Sequence, residues 1–303
     1  MTLLLFVAMT LSADHLEPGL HERSITVDDR AREFLIYIPK DQHAPREGFA
    51  LVIAFHGGGS NAEQMVQFCG LNETADEHGF VVVYPNGTGR TERAKTFNGG
   101  NCCGYAQRQN ADDVKFTKAV IDEAGQLAPI DAKLIYAIGM SNGEIMAYRV
   151  ADEMAGTVAA IAPVAGPMGK AECSPSRPVP VCHFHGDEDE FAAYGGGPGK
   201  RSLSRTDFFS VEHSLSQWIK ANTCGTKPVV TELDTEVEDG TAITLYEYTN
   251  DDGEALVVHY KITEGGHTWP GQQPKLRFLG KSTANLNANE AMWAFFQKHR
   301  LQD

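Results

Sequence analysis

The sequence predicts an α/β fold in which a mostly parallel central sheet is covered by helices on both faces. Runs such as FALVIAFHGGGSN (49–61) and FVVVYPNG (80–87) are continuously apolar until they reach glycine or proline. Such runs are typical of strands buried on both faces of a parallel sheet. Segments with helical spacing alternate with them, and this alternation of strand and helix favours a doubly covered, mostly parallel sheet.

Each predicted element of the N-terminal half has its own sequence signal. Two β-rich runs around Asp28-Asp29 predict a hairpin within residues 24–40, and the strand at 49–61 follows. Residues 62–79 have helical spacing and end at a glycine, and the strand at 80–87 stops at Pro-Asn-Gly. The polar, glycine-rich stretch to about residue 110 is predicted to be a loop.

The C-terminal half continues the alternation without a repeat or a shift in composition. The predicted helices are 111–127, 142–154, 210–223 and 287–301, and the predicted strands are 132–140, 158–166 and 179–186. The runs TAITLYEY and ALVVHYKI flank a turn, Asn-Asp-Asp-Gly, and predict a second hairpin. Residues 14–303 are therefore predicted to form one domain.

Composition limits the functional classes. The chain has 303 residues, 42% of them hydrophobic, and a formal net charge of −14, which suits a globular protein with a sizeable core. The negative charge argues against nucleic acid and anionic membrane surfaces as partners. No run of 18 apolar residues occurs, so no membrane-spanning helix is expected.

The N-terminus and the cysteines favour export. MTLLLFVAMTLSA, residues 1–13, has the length and the small-residue end of a signal peptide, but it lacks a basic residue before the apolar run. A buried N-terminal strand is the alternative interpretation. Six cysteines fit a secreted protein, and they can pair in 15 ways. The adjacent Cys102 and Cys103 are expected to pair, if at all, with distant partners.

A Gly-x-Ser-x-Gly pattern places Ser141 between Gly139 and Gly143. The pattern alone is weak evidence, but here a predicted buried strand runs directly into the serine and a predicted helix follows it. A nucleophile elbow is such a strand-to-helix turn, and it exposes the serine hydroxyl above the sheet. Ser141 is therefore predicted to be a nucleophile.

A serine nucleophile needs a base and an acid that orients the base. His267 follows the last predicted strand in a glycine-rich loop, EGGHTWPG, and is the predicted base among 11 histidines. Four acidic residues, 187–190, follow the strand that ends in HFHG, and one of them is predicted to serve His267. His183 and His185 alternate on that strand, but without a third ligand they are interpreted as structural rather than as a metal pair.

A second glycine-rich stretch, His56-Gly57-Gly58-Gly59, ends the first long apolar strand. Glycines there allow backbone N–H groups to approach a substrate carbonyl oxygen. The predicted oxyanion donors are the N–H groups of Gly58, or its neighbour Gly57, and of Asn142. A phosphate-binding loop is disfavoured because the following Lys-Ser/Thr pair is missing.

These residues resemble the polyhydroxybutyrate-depolymerase-type esterases, which grade into the feruloyl and acetylxylan esterases of carbohydrate esterase family one. The matching stretches run in order along nearly the whole chain; they are LVIAFHGGGSNAEQM, ADEHGFVVVYPNG, GGNCCGYA, ADDVKF, IDAKLIYAIGMSNG, PVPVCHFHGDED, EGGHTWPG and ANEAMWAFFQKHR. The resemblance implies an α/β-hydrolase fold, a serine esterase activity and no cofactor.

The resemblance also implies residue roles. The family's acidic stretch usually reads His-Gly-Thr-Ala-Asp, and matching it to HGDED makes Asp189 the catalytic acid. Ser141 and His267 take the nucleophile and base positions, and Gly58 takes that of an oxyanion donor. Trp269, beside the base, is either a wall of the substrate site or a structural tryptophan.

Two departures from the family pattern stand out. The family commonly has Gly-Met-Ser-Asn-Gly-Gly, whereas Glu144 occupies the last position here, and EFAAY replaces a Pro-Val-Val-Pro-Tyr-like run after the acid. Glu144 falls in the first turn of a predicted helix, where the helix dipole favours a carboxylate. We expect its side chain to point away from the substrate pocket.

The sequence thus predicts a secreted serine carboxylesterase. Feruloyl or acetyl esters of polysaccharides are the first predicted substrates, and short polyhydroxyalkanoate esters the second. A catalytically impaired binding protein and a serine peptidase of the same fold are the alternatives.

Overall fold

The computed structural model describes residues 15–40, 46–202, 204–273 and 276–302. The predicted signal segment lies outside these residues. The strands are β1 (Gly19–Val27), β2 (Arg30–Ile38), β3 (Phe49–Phe55), β4 (Phe80–Pro85), β5 (Thr88–Thr91), β6 (Ala94–Thr96), β7 (Ile130–Met140), β8 (Ala160–Val164), β9 (Val181–Gly186), β10 (Val229–Glu232), β11 (Ala242–Thr249) and β12 (Ala255–Thr263). The α-helices are α1 (Ala62–Cys69), α2 (Leu71–His78), α3 (Gly104–Arg108), α4 (Asp113–Leu127), α5 (Asn142–Glu153), α6 (Val211–Ala221) and α7 (Ala288–Phe296).

Ten of the strands form one sheet in the order β1-β2-β4-β3-β7-β8-β9-β12-β11-β10. The six strands from β4 to β12 in this order pair in parallel, and antiparallel strands complete both edges. The predicted mostly parallel sheet and both predicted hairpins are confirmed. Because parallel strands end at the same edge, the segments after β3, β7, β9 and β12 meet there.

The two faces of the sheet pack against different helices. Strand β3 is buried along its whole length; Leu51 and Ile53 belong to one apolar cluster and Ala50 and Val52 to the other. The first cluster includes residues of α4, α5 and α6, and the second includes residues of α1, α2 and α7. This alternation explains why the strand sequences are apolar at every position.

The structure differs from the sequence prediction in three elements. The helix predicted over 62–79 is divided into α1 and α2 at Gly70, whose φ of 62° is left-handed and ends the first helix. The loop predicted up to residue 110 contains the small β5–β6 hairpin and α3. Strand β10 was not predicted; its side chains are all exposed, so its sequence lacks the apolar alternation of a half-buried strand.

A buried ion pair fixes α4 to the sheet. The guanidinium of Arg32 on β2 lies 2.7 Å from the carboxylate of Asp113, which also accepts from the backbone N–H of Asn98.

In the part of the chain that the structure describes, no helix combines the length and apolar character needed to cross a bilayer.

Candidate active site

Ser141 stands at a sharp turn between β7 and α5. Its φ of 58° and ψ of −117° are strained for a residue with a side chain. A Cβ on Gly139 would lie 2.2 Å from the carbonyl oxygen of Gly143, and a Cβ on Gly143 would lie 2.1 Å from that of Phe55. The two glycines of the motif are therefore required by backbone packing, and the turn has the geometry of a nucleophile elbow.

Asp189 and His267 reach the same edge of the sheet from neighbouring strands. Asp189 follows β9 and His267 follows β12, and these two strands pair in parallel. The Nδ1 atom of His267 lies 2.7 Å from Oδ2 of Asp189. The other carboxylate oxygen, Oδ1, accepts from the backbone N–H groups of Phe191 and Ala192 at 2.8 and 2.9 Å.

This contact sets the protonation of both partners. Burial alone would raise the pKa of Asp189, but the adjacent His267 and the hydrogen bonds to the carboxylate lower it below its ordinary value. An ionised Asp189 accepts, so Nδ1 of His267 carries the proton. Nε2 of His267 is then left with a lone pair that can accept a proton from a hydroxyl.

Ser141 and His267 line one open pocket of about 1210 Å³. The other predicted site residues at its wall are Gly58, Asn142 and Trp269. Asp189 is only 4% exposed and lies behind His267. The structure thus brings together the six residues predicted for the site, including Asp189, which the family resemblance had singled out.

Gly57 and Gly58 pass directly beside the elbow. A Cβ on Gly57 would lie 3.7 Å from the Cβ of Ser141, and one on Gly58 would lie 3.4 Å from the Cβ of Asn142. Asn142 is the first residue of α5, so its backbone N–H has no partner within the helix. Its side-chain amide exchanges two hydrogen bonds with the backbone of Phe97 and fixes this end of the helix.

His56 supports this glycine loop, a role that its sequence context did not reveal. The backbone N–H of Gly87 donates to Nε2 of His56 at 3.0 Å, so Nδ1 carries the proton and donates to the carbonyl oxygen of Gly57 at 2.8 Å. Burial lowers the pKa of His56 to about 4, which keeps the ring neutral. The only sign of the contact with Gly57 in the sequence is that His56 directly precedes the glycines.

Trp269 lies in the core and also borders the pocket. It is 1% exposed, and its Nε1–H donates to Oδ1 of Asn289 at 2.8 Å, which fixes the indole in the core. One part of it nevertheless forms pocket wall. The ring of Phe191, another pocket residue, lies against His267, with ring centroids 4.9 Å apart.

Glu144 lies beneath the pocket. It is fully buried and is not among the described residues that line the pocket, so the prediction that it points away is confirmed. The sequence offered no third group near His183 and His185, yet Glu144 lies with them, and ligand-type atoms of all three are within 4.8 Å of one another.

Cys102 and the pocket residue Cys103 are neighbours in the chain. Their sulfur atoms contact each other rather than distant cysteines, so the expectation of distant partners is wrong for this pair. The remaining four cysteines are free thiols: Cys69, Cys173, Cys182 and Cys224.

Comparison with known proteins identifies the family of the chain. Residues 33–176 match the model of the family described as "Esterase PHB depolymerase". A putative esterase, NocK, of Nocardia uniformis subsp. tsuyamanensis is 30% identical over 261 residues, which cover 82% of this chain and 74% of that protein. The chain belongs to this esterase family. The predicted family is therefore confirmed, and the protein is a carboxylic ester hydrolase.

Two further similarities extend the comparison. Feruloyl esterase B of Piromyces equi is 30% identical over 184 residues, which are 59% of this esterase but only 33% of that longer protein. The structure of an acetyl xylan esterase from Aspergillus awamori superposes with a TM-score of 0.58 at 13% identity, covering 91% of this chain and 99% of that one. The second similarity confirms the predicted α/β-hydrolase fold.

Proposed function

We propose that this esterase hydrolyses feruloyl or acetyl esters of polysaccharides through an acyl-enzyme on Ser141. One observation carries the proposal: a strained serine and a carboxylate-oriented histidine, His267, line the same pocket. Short polyhydroxyalkanoate esters are the second substrate class. A binding protein without activity is disfavoured because the triad side chains are all retained in one site.

The reaction follows from the assigned protons. Nε2 of His267 takes the proton of Ser141 as Oγ attacks the ester carbonyl carbon, and the N–H groups of Gly58 and Asn142 stabilise the oxyanion. His267 returns that proton to the leaving alcohol, which gives the acyl-enzyme. Water, activated by His267, then attacks the acyl carbon and releases the acid and the free serine. Asp189 holds the imidazole and stabilises its transient positive charge.

The pocket fits a substrate with an aromatic portion. Its volume of about 1210 Å³ exceeds the range of roughly 300–1,000 Å³ usual for small-molecule sites. Five aromatic residues line it: Phe68, Phe191, Phe208, Trp269 and Phe278. Such rings stack on a planar acyl group, and feruloyl esterase B, a relative, is named for such a substrate.

We also propose that residues 14–303 act as a single esterase domain in an exported protein. Export rests on the apolar run at residues 1–13. A peptidase on the same fold is the third functional class, since a serine triad serves amides as well as esters.

Hydrolysis of p-nitrophenyl acetate, p-nitrophenyl butyrate and methyl ferulate by the full chain tests the proposal. Wild type should hydrolyse methyl ferulate or the acetate ester, and Ser141→Ala should reduce kcat by about 10⁶-fold, to background. Ser216→Ala, on the exposed side of α6, is the matched control and should retain full activity. Equal rates in wild type and Ser141→Ala would reject the serine mechanism, and cleavage of peptides alone would favour the peptidase.

A further inference from the structure

Glu144 is a buried acid for which the proposed reaction has no use. It lies three residues after Ser141 in the first turn of α5 and is 0% exposed. Neither of its carboxyl oxygens has a hydrogen bond of ordinary geometry to a described residue. Its Oε1 lies 3.1 Å from Nδ1 of His183. A buried carboxylate without hydrogen bonds is costly, so either a proton or a cation must compensate it.

The neighbouring hydrogen bonds fix where their protons are. Nε2 of His185 lies 2.8 Å from the carbonyl oxygen of Ala192, and because a carbonyl only accepts, Nε2 carries a proton. Burial lowers the pKa of both His185 and His183, so each ring is neutral and carries one proton. Nδ1 of His185 therefore accepts, at 3.3 Å, from Nε2–H of His183. Nδ1 of His183 is then an acceptor too, and the hydroxyl of Tyr148 donates to it at 2.8 Å.

This direction of donation decides the state of Glu144. The lone pair of Nδ1 on His183 would repel an ionised Oε1 at 3.1 Å, whereas a protonated Oε1 can donate to it. We propose that Glu144 is a neutral carboxylic acid that shares Nδ1 of His183 with Tyr148, and that this line of hydrogen bonds, continued through His185, positions the loop that carries Asp189. The positioning role rests on the proposed function of Asp189.

The far end of the line explains that role. Nε2 of His185 bonds to the carbonyl of Ala192 and lies 3.6 Å from Oδ2 of Asp189, the oxygen that faces His267. At the other end of the line, Glu144 and Tyr148 are on α5, the helix that begins next to Ser141. The hydrogen bonds therefore connect α5, through the two histidines of β9, to the loop that carries Asp189.

A metal ion bound by these residues is the alternative, and the ring geometry argues against it. The rings of His183 and His185 are nearly parallel, at 13°, with centroids 5.4 Å apart while the facing nitrogens are 3.3 Å apart. The two rings therefore meet edge to edge, each nitrogen aimed at the other. Metal ligands must instead aim at a common point, about 2.0–2.1 Å from each nitrogen.

The ionisable groups that face Glu144 come from three elements. Tyr148 lies on its own helix, His183 and His185 lie on β9, and Asp189 lies in the following loop; His259 of β12 packs behind His183. Burial and, after it, the negative charge of Asp189 raise the pKa of Glu144 well above its ordinary value, while the backbone N–H of Gly166 acts in the opposite direction. The environment thus supports the neutral acid.

Infrared difference spectroscopy at neutral pH tests the protonation. Wild type minus Glu144→Gln should show the C=O stretch of one protonated carboxyl group, whereas wild type minus Glu153→Gln, at the other end of α5, should not. Absence of the band from the first spectrum would overturn the proposal. Stoichiometric zinc in the purified chain that is lost in Glu144→Gln would overturn it in favour of a metal site.

Tyr148→Phe tests the shared acceptor with a change of one oxygen atom. Nδ1 of His183 would then accept from Glu144 alone, so the carboxyl band should move to lower frequency as that hydrogen bond strengthens. An unmoved band would show that Glu144 does not donate to His183 and would overturn the line.

Kinetics tests the positioning. His185→Leu removes the N–H that holds Ala192, and it should lower kcat by about 10- to 100-fold while KM changes less than about twofold. His185→Gln keeps a donor and should recover most of the loss. A wild-type kcat in His185→Leu would overturn the positioning role. Where wild type itself hydrolyses no ester, the proposed function fails instead, and the infrared band still tests Glu144.

Discussion

Nδ1 of His267 lies 2.7 Å from Oδ2 of Asp189, although 78 residues separate them in the chain. Two parallel strands, β9 and β12, deliver them to one edge of the sheet. Two backbone N–H groups bind Oδ1 of the carboxylate, which leaves Oδ2 free to orient the imidazole.

This contact predicts that Asp189→Asn will lower kcat by about 10⁴-fold, because the amide favours the wrong imidazole tautomer. The measurement is the steady-state hydrolysis of p-nitrophenyl acetate. Asp187→Asn is the matched control; its carboxylate faces Lys261 and the backbone of Glu264 instead. A large loss in the control with a small one in Asp189→Asn would move the catalytic acid to residue 187.

The elbow predicts that Gly143→Ala will destabilise the protein. The new methyl group would meet the backbone oxygen of Phe55 at 2.1 Å, and such overpacking costs about 1–3 kcal/mol. Activity should fall as well, since relief of the clash displaces Ser141. Gly125→Ala in α4 has open space around it and should instead stabilise by about 0.5–1 kcal/mol. Urea denaturation measures both, and an unchanged midpoint for Gly143→Ala would contradict the close approach of the two backbones.

The buried ion pair predicts a large loss of stability in Asp113→Ala. This change leaves the guanidinium of Arg32 buried without its partner, which costs about 3–5 kcal/mol. Asp122→Ala, on the exposed side of the same helix, should change the free energy of unfolding by less than about 1 kcal/mol. Similar midpoints for the two variants in urea would show that the pair contributes little.

Buried histidines predict that stability falls in mild acid. Burial lowers the pKa of His56 to about 4 and that of His259 to about 3, whereas an unfolded histidine titrates near 6.5. Between pH 6.5 and about 4, these histidines therefore bind protons in the unfolded chain but not in the folded one. The free energy of unfolding consequently decreases as the pH falls.

His259→Gln should reduce this dependence by up to one proton, about 1.4 kcal/mol per pH unit. Urea denaturation at several pH values between 7 and 4 gives the slope, with the solvent-exposed His15→Gln as control. A slope in His259→Gln equal to that of wild type would mean that His259 titrates normally in the folded protein.

Local patterns were enough to predict the mostly parallel sheet and the elbow at Ser141, whereas the choice of Asp189 among residues 187–190 needed the resemblance to an esterase family. Continuous apolar runs require burial on both faces, and glycines around Ser141 permit a turn that other residues forbid. The division of the predicted helix at Gly70 and the hairpin β5–β6 escaped prediction, since a left-handed glycine and short polar strands leave no periodic signal.

The residues that surround Ser141, Asp189 and His267 could not be predicted from local patterns. Glu144 and His183 are far apart in the chain, and nothing in the spacing of the sequence shows that Glu144 of α5 lies against His183 of β9. The same holds for His56 and Gly87, whose contact forms the glycine loop beside Asn142. Such contacts depend on the strand order of the sheet, a long-range property, and hydrophobic periodicity reports only which face of each element is buried.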